Sequence, residues 1–180
     1  MLQIVIPACE QWDELKQEFV YEKEQTLQLE HSLVSISKWE AKWHKPFLSK
    51  EDKTPEEISD YVKCMTITQN VKPDVYSRLT NDHIDQINAY IADPMTATSF
   101  STDKNGRISR EIVTSELIYY WMIALNVPPE YQKWHLNRLL TLVRICNIKN
   151  QPSKKMSKKD ILSRNAALNA ARRKQYNTNG

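Results

Sequence analysis

Four histidines (His31, His44, His83, His135) and three cysteines (Cys9, Cys64, Cys146) are the side chains from which a metal site or a covalent nucleophile would have to be built. A zinc site asks for closely spaced ligands, because one element must turn two donors toward one ion. Here the histidines fall on four separate predicted elements and the cysteines are widely spaced, so surface and packing roles account for them. Cys64 and Cys146 sit in apolar helical surroundings, where a free thiol behaves as a small inert core residue. No serine lies in a glycine-flanked turn of the kind that exposes a nucleophile. Carboxylates cluster at Glu22/Glu24, Glu51/Asp52 and Glu56/Glu57/Asp60, in charged loops or at helix starts where the helix dipole favours them. With two glycines in 180 residues, against typical usage of about 7%, the sequence argues against phosphate-cradling loops and nucleotide-binding turns. No catalytic, cofactor or metal residue is assigned, and an enzyme is not expected.

Charge is distributed unevenly. Residues 1–60 carry 13 acids against 7 bases, residues 61–149 carry 8 against 10, and residues 150–180 carry 1 against 8. The last segment is therefore a distinct basic tail. Its Lys154, Lys155, Lys158, Lys159, Arg164, Arg172, Arg173 and Lys174 are suited to neutralising phosphates. Yet Tyr176 is its single aromatic, with none interleaved for base stacking. Contact with an acidic protein partner, or with the acidic N-terminal third of a neighbouring copy, is the favoured reading over nucleic acid.

The segment "WHLNRLLTLVRICN", residues 134–147, tests the nucleic-acid reading further. Leu136, Leu139, Leu140, Val143 and Cys146 make one helical face, and Trp134, Leu142 and Ile145 occupy much of the rest. Only a narrow wedge with Asn137, Thr141 and Arg144, and Arg138 near its edge, is polar, whereas a groove-reading helix presents a broad polar face. The helix is expected to be central, covered by Leu117, Ile118, Tyr120, Trp121, Ile123 and Ala124 of the helix before it. Arg138 and Arg144 would then need partners, with Glu111, Glu116 and Glu130 as candidates.

The elements that must position these residues follow from periodicity. Leu2, Ile4 and Ile6 before Pro7, then Phe19 with Tyr21 and Leu27 with Leu29, predict a small N-terminal β-element. Helical spacing of Leu33, Ile36, Trp39, Trp43 and Phe47 predicts a helix ended by Pro46. Thr54, Pro55 and Glu57 form a capping-box start, after which Ile58, Tyr61, Val62 and Met65 should be the buried stripe. Short helices are expected from Asp74 to Leu79 and from Asn81 to Ala92, the second with Ile84, Ile87, Tyr90 and Ile91 inward. A small hairpin or ordered loop should occupy residues 96–106, turning at Lys104-Asn105-Gly106. Two apolar helices, Arg110 to Asn126 and Pro129 to Ile148, follow. After a hinge at Gln151-Pro152, Ser157 with Asp160 should cap an Ala-rich helix running through Lys174, one that needs a surface to lie on.

The chain thus reads as mainly α: residues 1–150 form a helical bundle domain with a small N-terminal β-element and a short hairpin, and residues 151–180 a basic C-terminal helix or tail. The three thiols read as reduced, in a cytosolic protein. The N-terminus does not resemble a secretion signal, and the longest apolar run, Leu117 to Leu125, is too short to span a bilayer. No membrane association is expected. Five tryptophans exceed what a small core needs, and Trp39 with Trp43, one turn apart, would either be buried in the domain's own core or form a docking stripe.

The segments "QTLQLEHSLVSISKWEAKW", "ELIYYWMIALNVPPEYQKWHLNRLLTLVRICNIKN" and "KKMSKKDILSRNAALNAARR" together resemble a family of small proteins of tailed-bacteriophage structural modules, some of them tail assembly chaperones. The resemblance runs over most of the chain. It implies a non-enzymatic helper of tail morphogenesis in the host cytoplasm, without cofactors, that binds the tape-measure protein while tail-tube subunits polymerise. Family proteins are often made in two forms by translational frameshifting. This chain is larger than many such chaperones, which leaves open a virion tail or connector subunit, with self-association. A packaging or regulatory factor that binds nucleic acid through the basic tail is the other alternative.

Overall fold

The computed structural model describes residues 1–14, 17–100, 112–150 and 157–178. They form two compact units, Met1–Asn147 and Ile148–Gly180. The predicted fold class holds: the chain is mainly helical, with a small β-element at its N-terminus and a separate C-terminal helix.

Alternating apolar residues make β1 (Leu2–Ile6) and β4 (Gln25–Leu29), which pair antiparallel. Beyond them β2 (Cys9–Asp13) pairs with β3 (Glu18–Glu22), and β2 was not anticipated from the sequence. The pairs Leu2↔Leu29 and Cys9↔Glu22 belong to one register, so the four strands are two stretches of a single long hairpin. Pro7, which has no amide proton for the ladder, lies at the interruption. At the base Ile4, Ile6, Leu27 and Leu29 point into the core. The chain leaving the second helix covers the other edge of β4, with Ile67 N donating to Gln28 O at 2.8 Å and Glu30 N to Met65 O at 2.9 Å. A paired edge no longer invites strands of other molecules.

Helix α1 (Leu33–Trp43) is started by Ser32, whose hydroxyl accepts from Ser35 N. It buries Leu33, Ile36 and Trp39 and stops at His44 in the left-handed conformation, φ 53°. Helix α2 (Pro55–Met65) begins with the predicted box: Glu57 N donates to Thr54 Oγ1 at 3.2 Å and Thr54 N to Glu57 Oε2 at 2.8 Å. Tyr61, Val62 and Met65 are buried as expected, but Ile58 is exposed and Glu57 and Asp60 are buried instead. Their carboxylates can face inward because α1 and the loop after it bring Lys45 to Glu57 and Lys42 to Asp60. After the single turn α3 (Asp74–Ser77), helix α4 (Asn81–Ala92) starts at Thr80 and buries Ile87 and Tyr90, with Ile84 and Ile91 half-buried.

The two late helices depart from expectation. Helix α5 spans Ser115–Ala124, capped by Thr114, and packs against α1. Only Ser115, Ile118 and Met122 are buried in it, while Tyr120, Ile123 and Ala124 face outward, so they cannot cover the next helix. A 3₁₀ segment, Pro129–Lys133, stands where the next helix was expected to begin. Trp134 is extended (φ −70°, ψ 160°), and α6 (Leu136–Asn150) follows. This break lets His135 bridge to Ser32 and Leu136 N donate to His31 O at 2.7 Å. Residues 96–100 contain no strand, and the turn expected at Lys104-Asn105-Gly106 lies outside the described residues.

In the second unit, Ser157 accepts from Asp160 N at 3.1 Å and starts α7 (Lys158–Tyr176), which Asn177 ends in the left-handed conformation. Every residue of α7 is exposed. No described helix is long and apolar enough to cross a membrane.

Candidate functional site

The wedge of polar residues in α6 has structural work. Asn137 Nδ2 donates to Ile91 O at 3.0 Å and Asp93 O at 2.7 Å, satisfying carbonyls at the end of α4 that would otherwise lack a partner. Thr141 Oγ1 donates back to Asn137 O at 2.8 Å. Arg138 and Arg144 are exposed, not buried, and neither pairs with Glu116 or Glu130. Arg138 lies over the Trp134 ring at 4.2 Å and Arg144 over Phe100 at 4.0 Å, contacts in which the ring face attracts the cation. Glu111, the third candidate partner, is outside the described residues.

Two of the four imidazoles serve local structure. His83 Nδ1 accepts from Thr80 N at 3.2 Å, and His44 closes α1. The other two converge, which sequence spacing gave no reason to expect. His31 and His135 are 2% and 6% exposed, with ring centroids 5.1 Å apart. His31 Nδ1 meets Tyr61 Oη at 2.5 Å, and Ser35 Oγ stands 3.4 Å from the same oxygen. Ser35 Oγ donates to Ser32 O at 2.7 Å, and the direction of the Tyr61–His31 hydrogen bond follows the imidazole tautomer. His135 Nε2 is 3.0 Å from Tyr90 O, an acceptor only, so it is the donor, and His135 Nδ1 is left buried without a partner. Tyr90 in turn donates to Glu30 Oε1 at 2.6 Å.

Burial first, and the charge of His135 after it, together pull the His31 imidazole down to about 4. Burial also pushes the Tyr61 phenol up. Both groups are therefore neutral across the physiological range. An adjoining cleft of about 360 Å³ is lined by Glu30, Ser35, Lys38, Cys64 and Lys133 among others, and by neither imidazole. Burial raises the Cys64 thiol, with nearby Asp60 acting in the same direction, so it holds little thiolate. Among the described residues no three of His, Cys, Asp and Glu converge in a way that would hold a metal ion. The cluster joins the starts of α1 and α6 to α2 and α4.

That cluster makes the fold acid-sensitive. The unfolded chain binds a proton at His31 near pH 6.5 and the folded chain only near 4, so stability is fully present above 6.5 and is lost as pH falls through this window. The expected slope is about 1.4 kcal/mol per pH unit, amounting to about 3 kcal/mol by pH 4. Urea titrations between pH 8 and 4.5 measure it, and His31→Gln should flatten the curve. An unchanged slope in that variant would locate the effect elsewhere. The carboxylates titrate lower: hydrogen bonds from Lys45 and Thr54 hold Glu57 below its usual range. Asp60 is also held low, where burial acting to raise it is outweighed by hydrogen bonds from Lys42 and Trp43.

Of the residues singled out for partner binding, Trp39 is 1% exposed in the core, its Nε1 donating to Glu57 O at 2.9 Å. Trp43 stacks on it with centroids 6.2 Å apart, half-buried, and donates to Asp60 Oδ2 at 3.0 Å. The pair belongs to the domain's own packing. Lys158, Lys159, Arg164, Arg172, Arg173 and Lys174 lie on the exposed α7. Lys154 and Lys155 fall outside the described residues.

A surface that the sequence reading missed stands at the far end of the hairpin. Trp12 and Phe19 face each other directly across β2 and β3, ring centroids 5.0 Å apart, edge to face. They are 52% and 69% exposed, and Tyr21 on the same face is 62% exposed. By register this face continues the one that carries Ile4 and Leu27 into the core at the base. At the tip it is the opposite face, with Cys9 and Val20, that is half-covered. The detectable signal was Trp12 two residues from Glu10 and as far before Glu14 as Phe19 lies before Tyr21, an aromatic alternation among acids.

Comparison of the chain with protein-family models, curated proteins and solved structures returns no match.

Proposed function

We propose that this chain is a non-enzymatic assembly factor of a phage tail, binding the tape-measure protein as a helical apolar client during morphogenesis in the host cytoplasm. The observation that supports it is the arm of β2 and β3, which holds Trp12, Phe19 and Tyr21 in solvent. Aromatics clustered on one exposed face are common anchors of protein interfaces. The exposed basic α7 offers a second surface of different chemistry. The resemblance of the chain to tail-module proteins supplies the setting.

Co-expression with a tape-measure fragment tests this. The fragment is expected to stay soluble and co-purify, and Trp12→Ser with Phe19→Ser should weaken capture by about tenfold or more, the scale of losing an aromatic anchor. Failure of the unaltered chain to hold the client soluble would remove the reading. Finding the chain in purified virions would move it from chaperone to tail component.

A further inference from the structure

Two elements of this chain expose apolar side chains, and their chemistries are opposite. The distal hairpin, residues 9–24, carries Glu10, Asp13, Glu14, Glu18, Glu22 and Glu24 against Lys16 and Lys23, a net charge of −4. An isolated two-stranded hairpin is marginal in water, and this one leaves its aromatic face uncovered. Helix α7, residues 158–176, carries Lys158, Lys159, Arg164, Arg172, Arg173 and Lys174 against Asp160, a net charge of +5. It buries nothing, although a helix of this length is also marginal alone.

We propose that α7 of one copy docks on the aromatic acidic tip of the hairpin of a second copy. The periodicities fit. Lys158, Ile161, Leu168 and Arg172 recur at spacings of three, seven and four, which places two apolar residues between two cations on one helical face. The hairpin face presents Trp12, Phe19 and Tyr21 beside Glu10. A helix of 19 residues, about 28 Å long, more than spans a five-pair ribbon of about 17 Å. Apolar contact then lies at the centre, with charge pairs around it. The contact is heterologous, since hairpin meets helix and not its own equivalent, so it propagates head to tail into rings or chains and does not stop at a two-fold dimer. It does not rest on the phage reading, and its test involves no client.

The experiment uses the full nuclease-treated chain alone, with mass measured by light scattering and sedimentation over a range of concentrations. The mass should rise with concentration at low salt and return to the monomer at high salt, since exposed charge pairs are screened. The hairpin set Glu10→Lys, Glu14→Lys and Glu18→Lys should raise the association midpoint by about tenfold or more. The helix set Arg172→Glu, Arg173→Glu and Lys174→Glu should do the same.

Mixing the two variants should restore association, because each offers the surface that the other's altered element now matches. Loss of the whole fold would not be rescued that way, since the unaltered helix of one variant must still meet the unaltered hairpin of the other. If acids at the C-terminal end of α7 reduce its helicity by circular dichroism, Lys158→Glu with Lys159→Glu replaces them, at the end where the dipole favours acids. A chain monomeric at every concentration, association that needs nucleic acid, or two defective variants that stay defective when mixed would each overturn the proposal. So would crosslinks joining hairpin and helix only within one copy.

Discussion

Replacing Trp39 by alanine is expected to cost about 3–5 kcal/mol of folding stability, the range for removing a large buried aromatic. The indole is 1% exposed and sits where α1, α2 and the loop after α1 meet, edge-on to Phe47 at 5.1 Å and stacked with Trp43. Its loss opens a cavity and also leaves the Glu57 carbonyl without the Nε1 donor. A urea titration followed by circular dichroism would show the midpoint fall with an unchanged slope. Trp43→Ala serves as the internal comparison, because that ring is only half-buried and its loss should cost much less. Equal losses at the two positions would contradict the placement of Trp39 at the centre of the packing.

A second large effect is expected at Glu40. Its carboxylate is buried in α1 and accepts from Phe47 N at 2.8 Å and from Ser115 N at 2.7 Å, the first residue of α5. One acid thus closes the loop after α1 and holds the N-terminal end of a distant helix, where negative charge is favoured by the helix dipole. Glu40→Ala leaves both amides without an acceptor, at about 1–3 kcal/mol for each. Glu40→Gln keeps one oxygen and should fall between. Hydrogen exchange provides the sharper measurement: protection of the α5 amides should drop more than that of α2. Uniform loss across the fold would mean that Glu40 does not hold α5 in particular.

These two residues also mark what could be read beforehand. Trp39 was legible because it lies on a helical stripe with Leu33 and Ile36, and periodicity reports burial directly. The box at Thr54/Glu57 and the cap at Ser157/Asp160 were legible because capping is a contact over three residues. Glu40 was not: a lone acid in a helix looks solvated until the fold brings Ser115 to it. The same holds for His31 and His135, whose meeting depends on the break at Trp134 that joins the starts of α1 and α6. Ile58 misled because the apolar pattern allotted it an inward place, while Glu57 and Asp60 took that side through Lys45 and Lys42. Helix α5 misled for the opposite reason, as it is apolar on nearly every side and gives no hint of which residues face out.

The distal strands went partly unread for another reason. Phe19 and Tyr21 announced one of them, but Cys9–Asp13 mixes two acids and one amide with one tryptophan, and the sequence between the two strands has no glycine or asparagine. The aromatic pair emerges only once the register is known.

That register has a geometric consequence for how the arm can vary. Since base and tip share one phase of pairing, adding two residues to each strand would push the tip outward by about 7 Å and keep its rings pointing the same way. Adding one to each would extend it half as far and turn the rings to the reverse side. Reach and orientation are therefore quantised together, and the length of this projection can drift only in even steps if whatever grips it is to go on meeting aromatic carbon.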